Sequence, residues 1–190
     1  MKRLLSLAAC AAVLAVPVSV AAQAPAADPA LNAFQKVCWA SGGDYMASLK
    51  AADADGWTDT AVTGEDAGGV SVTDKAAKAK LANGASLTLL VSRGLQNLKD
   101  IGQVKVVTCK LAVSKPDSGL VSESKAWLGV APDNPADPTL AVYYVKMAPG
   151  APSHVSKDGL AGAINSGGLA ILKFQQDSDG GILVYTGYSK

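Results

Sequence analysis

Apolar positions in the first third of the chain recur at helical spacing. Leu31, Phe34 and Cys38 lie three and four residues apart, so a helix would place them on one stripe. Asp28-Pro29 supplies an N-cap followed by a proline at the first helical position, which predicts where this helix begins. Asp44 predicts the N-cap of a second helix directly after it.

The stretch KAADADGWTD, residues 50–59, raises the question of a calcium loop. With Gly56 at the sixth position of an EF-hand loop, Ala51 and Val62 occupy the first and twelfth positions, where ligands are required. The same residues fit the end of a helix, because Gly56 accepts the left-handed conformation and Trp57 can pack back on the last turn. The stretch is therefore predicted to end the second helix, and no metal is expected there.

From residue 86 the apolar positions alternate, which is typical of strands with one buried face. Strands are predicted at 86–93, 103–113, 139–147, 168–175 and 181–188. The last two flank a turn that contains Asp177 and Asp179, and they predict a β-hairpin. Cys109 lies on the apolar face of its strand and is expected to point into the core.

Further helices are predicted at 73–84, with Thr73 as cap and Gly84 as stop, at 118–129, and near 160–164. Together the patterns predict an α+β fold with about five mostly antiparallel strands and two or three helices packed on one face. Residues 23–190 are long enough for one domain with its own core.

The first 22 residues read as a secretory signal peptide, with a basic start, an apolar run and small residues before the expected cleavage after Ala22. A lipoprotein site at Cys10 and an uncleaved anchor at 4–22 are the alternatives. Cleavage after Ala22 predicts a periplasmic or secreted protein whose mature chain has no membrane span. Removal of Lys2 and Arg3 leaves 15 basic and 16 acidic side chains, so neither nucleic acid nor an anionic membrane is an expected partner.

The remaining cysteines, Cys38 and Cys109, are predicted to form a disulfide, since an exported protein matures in an oxidising compartment. Two unpaired buried thiols are the alternative. His154 is the single histidine of the chain, which excludes multi-histidine metal sites. A triad with Ser153 and Asp158 can be drawn, but no Gly-x-Ser-x-Gly motif supports it. Neither a catalytic residue nor a cofactor is expected.

The tyrosines of the predicted strands are the candidates for a binding surface: Tyr143, Tyr144, Tyr185 and Tyr188. Neighbours in a strand face opposite ways, so one of the first two is expected to point outward.

The spacing Phe34-x-x-x-Cys38, then Gly56-Trp57, then Cys109, then Trp127-Leu128-Gly129 resembles that of small exported bacterial proteins without a characterised activity. The resemblance implies an exported α+β domain and no catalytic residue. We therefore expect a non-catalytic module that binds an unknown protein or small ligand of the cell envelope. The alternative is a small hydrolase that uses aspartates or a serine near His154.

Overall fold

The computed structural model describes residues 28–63, 69–116, 119–147 and 152–190. The predicted signal peptide and its cleavage site lie outside the described residues. Among the described helices, none combines the length and the apolar character needed to cross a membrane.

The described residues form one antiparallel sheet and several short helices. The helices are α1 (Pro29–Phe34), α2 (Tyr45–Ala54), α3 (Leu120–Leu128) and α4 (Leu160–Asn165), with a π-helical turn (Gln35–Trp39) that continues α1 and a 3-10 turn (Lys157–Gly159) before α4. The strands are β1 (Thr58–Asp59), β2 (Val70–Ala82), β3 (Ala85–Leu98), β4 (Gly102–Val113), β5 (Leu140–Lys146), β6 (Ser153–His154), β7 (Leu169–Gln176) and β8 (Gly181–Ser189). Their order in the sheet is β1-β2-β3-β4-β8-β7-β5-β6.

The predicted architecture of about five strands with all helices on one face is wrong. The sheet has eight strands, and α4 packs on the face opposite to the other helices. The helix predicted at 73–84 is part of β2, because Asn83 and Gly84 adopt positive φ values of 51° and 81° and reverse the chain tightly. Ala82 pairs directly with Ala85 across this two-residue turn, so backbone pairing with β3 outweighs the helix propensity of alanine and lysine.

Other local predictions are confirmed. Asp28 caps α1, since its side chain accepts hydrogen bonds from the amides of Ala30 and Leu31 at 2.7 and 2.9 Å. α3 and the β7–β8 hairpin form in the segments where the apolar pattern predicts them.

α2 also ends where the sequence predicts. Gly56 has a φ of 79°, and the amide of Trp57 donates to the carbonyl of Ala52 at 3.1 Å. The carboxylates of this stretch pair with lysines of β2: Asp53 and Asp59 with Lys78, at 2.6 and 2.5 Å, and Asp55 with Lys80, at 2.8 Å. Asp53 and Asp55 therefore join the end of α2 to the sheet, and Asp59 joins β1 to β2.

The main core lies between the sheet and the helices α1, α2 and α3. Phe34 packs edge-to-face on Trp127 and Phe174, with ring centroids 6.4 and 5.4 Å apart. Tyr143 extends the cluster, its ring centroid 6.0 Å from that of Phe174. Phe34, Tyr143 and Phe174 are fully buried, so the part of the sheet beneath α1 and α3 is closed to solvent.

Cys38 and Cys109 form a disulfide, as predicted. Cys38 belongs to the π-helical turn and Cys109 to the middle of β4, which lies fourth of eight strands across the sheet. Both cysteines have no exposed surface. The bond therefore joins the first helix to the centre of the sheet through the core.

We expect the double variant Cys38→Ser, Cys109→Ser to lower the free energy of unfolding by about 4 kcal/mol, because the unfolded chain regains the freedom of a long loop. The bond spans 71 residues of sequence. Urea unfolding of the oxidised wild type and of the variant measures the difference. A change under about 1 kcal/mol, or thiols that titrate in the native wild type, would contradict the expectation.

Candidate functional site

The structure divides the four candidate tyrosines between the two faces of the sheet. Tyr143 and Tyr185 are 0% and 3% exposed and point into the main core. Tyr144 and Tyr188 lie on the opposite face and are half-buried. A partner on the surface can therefore reach Tyr144 and Tyr188 but not their two neighbours.

Tyr185 holds a glycine loop against the sheet. Its hydroxyl donates to the carbonyl oxygen of Gly42 at 2.8 Å, and its ring lies directly under Gly43. A Cβ atom at Gly43 would come within 2.0 Å of that ring, so only glycine fits there. Burial raises the pKa of Tyr185 to about 12. These contacts give Tyr185 a structural role.

Tyr144 and Tyr188 belong to a second, smaller hydrophobic cluster beneath α4. Ile164 of α4 packs there with Val106 and Leu169 of the sheet. Burial, and then the neighbouring Tyr144, raises the pKa of Tyr188. α4 thus covers one end of the second face of the sheet.

His154 lies on β6, and its Nε2 atom is 3.2 Å from Oδ1 of Asp133. The other oxygen of Asp133 accepts a hydrogen bond from the amide of Tyr144, so this carboxylate also binds the backbone of β5. Among the described residues, neither a serine hydroxyl nor Asp158 hydrogen-bonds to His154.

Asp133 and its neighbour Asn134 form hydrogen bonds with backbone groups along the outer edge of β5. The Asn134 side chain accepts from the amide of Val142 at 2.7 Å and donates to the carbonyl of Leu140 at 2.9 Å. The amide of Asp133 donates to the Val142 carbonyl, also at 2.7 Å. Loop groups thus take the place of a neighbouring strand along this edge.

The part of the chain that the structure describes contains no candidate metal site. No three or more histidine, cysteine, aspartate or glutamate side chains come together there in a way that holds an ion.

The second face of the sheet carries a surface that α4 leaves uncovered, which we call the open face. Two cross-strand rows of six residues run over β2, β3, β4, β8, β7 and β5: Ala77, Leu90, Lys110, Val184, Lys173 and Val142, and then Ala79, Thr88, Ala112, Ile182, Gln175 and Leu140. A row of three hydroxyl residues separates them from α4: Ser92, Thr108 and Thr186.

No described helix packs on the open face. Its larger apolar residues belong to neither hydrophobic cluster: Leu90, Leu140, Val142, Ile182 and Val184. They are half-buried, because neighbouring side chains on the sheet shield one another while their tips meet solvent. The open face therefore combines apolar contact area with access from outside.

Charge on the open face has one sign. Lys110 and Lys173 lie on either side of Val184, and the six strands place no aspartate or glutamate on this face. Within the described residues, neither lysine makes an ion pair. On the opposite face, in contrast, Arg93 pairs with Asp74 at 2.6 Å.

The sequence interpretation missed the open face, although its signal is present. With Cys109 pointing inward, the alternation on β4 already assigns Thr108, Lys110 and Ala112 to the other face. The register that aligns Lys110 with Lys173 is not visible in the alternation, because it depends on pairing between distant segments.

No protein-family model, curated protein or solved structure matches this chain.

Alkaline pH should expose the contribution of Tyr185. The pKa of Tyr185 in the folded protein lies above the ordinary value of 10.0, so its contribution to the free energy of unfolding is complete below pH 10. This contribution is lost as pH rises toward about 12, by up to about 1.4 kcal/mol per pH unit. Tyr185→Phe should cost about 1 kcal/mol at pH 7, because the bond to Gly42 is lost, and should reduce the alkaline loss. Urea unfolding at pH 8 and 11 tests this. An equal alkaline loss in both proteins would contradict it.

His154→Ala should leave the free energy of unfolding within about 0.5 kcal/mol and leave partner affinity within about threefold, because the side chain is 45% exposed. Asn134→Ala is the control in the same region and should cost about 2 kcal/mol, since it leaves backbone groups of β5 without partners. Urea unfolding compares the two. A hundredfold loss of any measured turnover in folded His154→Ala protein would support the hydrolase alternative.

Proposed function

We propose that this protein is an exported, non-catalytic binding module that docks a partner through the open face. The observation that carries the proposal is the row through Val184, in which apolar side chains alternate with Lys110 and Lys173 and no described helix lies above them. Exposed apolar area with polar groups interspersed is typical of interaction surfaces.

The rigidity of the sheet supports this use. Six paired strands hold the side chains of the open face at fixed spacing, so little conformational entropy is lost when a partner binds. The disulfide stabilises the same sheet from the opposite side through Cys109 of β4.

Export is supported by two independent features. The N-terminal segment has the composition of a signal peptide. The Cys38–Cys109 disulfide suits an oxidising compartment such as the periplasm or the extracellular medium. A docking module in that location would act on another component of the cell envelope.

The test places a photo-reactive amino acid at Thr108, beside the open face, and at Lys50, which is exposed on α2, in cells that export the protein. We expect Thr108 alone to cross-link to a partner that mass spectrometry identifies. Val184→Glu should abolish this cross-link with a melting temperature within about 3 °C of wild type, since the new carboxylate lies between two lysines.

Met46→Glu is the matched control, because it adds the same charge at a 61% exposed residue of α2. It should leave the Thr108 cross-link unchanged. Equal cross-linking at Thr108 and Lys50, or a cross-link that survives Val184→Glu, would overturn the proposal.

A further inference from the structure

We infer that the partner of the open face is an acidic protein surface, on which carboxylate side chains flank an apolar residue and seat against Lys110, Val184 and Lys173. This inference rests on the proposed use of the open face. It assigns the chemistry of the partner.

The two lysines supply the charge. Their backbones are two strands apart, roughly 10 Å, with Val184 between them in the same row. Lysine stems lie along neighbouring apolar side chains while the ammonium groups stay in water. Carboxylates of a partner meet two cations there that no described acidic side chain neutralises.

A second copy of the chain is a poor occupant of this surface. Two open faces packed together bring Lys110 and Lys173 of each copy against a surface with no carboxylate on any of its six strands. Like charges in such an interface repel one another and lose hydration without gaining a partner. Charge complementarity therefore requires a different molecule.

The shape of the open face favours a protein over a small anion. Small ligands bind in concave sites that bury most of their surface, whereas a strand face offers side chains of similar height. Its twelve residues cover roughly 400 Å², since each residue on one face of a sheet occupies roughly 33 Å². That area is about half of the roughly 800 Å² that each partner contributes to a standard protein interface, and it is far larger than the contact of a small anion.

The apolar residues of the open face favour an acidic protein over other polyanions as the partner. Val184, Leu90 and Val142 separate or flank the two lysines, and a protein can place its own apolar side chains on them. A polysaccharide or a phospholipid headgroup layer has no aliphatic side chains that could pack between the two lysines. A broad anionic surface would also be repelled by acidic residues outside the open face, because the acidic and basic residues of the chain are nearly equal in number.

The test measures binding of a fluorescent glutamate–tyrosine copolymer by anisotropy in about 20 mM salt, where screening is weak. We expect the full exported chain to bind it and Lys110→Gln, Lys173→Gln to bind at least about fivefold more weakly. Lys50→Gln, Lys99→Gln removes the same charge from two exposed lysines outside the open face and should bind as wild type. Circular dichroism confirms that both variants fold.

Three outcomes would overturn the inference: no copolymer binding, equal loss in both double variants, or binding of polygalacturonate or phosphatidylglycerol vesicles in preference to the copolymer.

The Thr108 cross-link separates this inference from the proposed function. A cross-link that survives Lys110→Gln, Lys173→Gln but not Val184→Glu would reject the acidic partner while retaining the docking surface. A cross-link that survives Val184→Glu would reject the docking surface itself.

Discussion

The covalent link between Cys38 and Cys109 decides which face of the sheet becomes the core. It holds the π-helical turn over the middle of β4, and α1, which is continuous with this turn, brings Phe34 onto the rings of Trp127 and Phe174. Once α1, α2 and α3 occupy that face, the six-residue α4 is the one described helix that covers the other. The open face is therefore a consequence of where the helices are bound, and its lysines can remain in contact with water.

The sequence predicts those parts of the fold that depend on neighbours in the chain. The cap at Asp28 and the left-handed Gly56 are local events, so residue type and spacing suffice to locate them. β2 is different, because its alanines and lysines favour a helix in isolation and become a strand only when β3 pairs with them. The Asn83-Gly84 turn carries the signal for this hairpin, but a glycine at position 84 fits the stop of a helix equally well.

The same distinction explains the candidate site. Alternation correctly implies that Tyr143 and Tyr144 face opposite ways, but only the packing of the helices decides which one is buried. His154 meets Asp133 and not the nearer Asp158 of the sequence, because the loop before β5 returns along the edge of the sheet. Lys110 and Lys173 share a row through β8, a pairing that no local pattern determines.

The loop at Asp133 and Asn134 has a consequence for the protein at high concentration. An unpaired strand at the margin of a sheet offers its amides and carbonyls to any passing chain, and this is how fibrils and other aggregates grow. Along β5 the side chain of Asn134 already engages both the Val142 amide and the Leu140 carbonyl. The two loop residues therefore block edge-to-edge addition of further strands along β5, and this protection persists however concentrated the protein becomes.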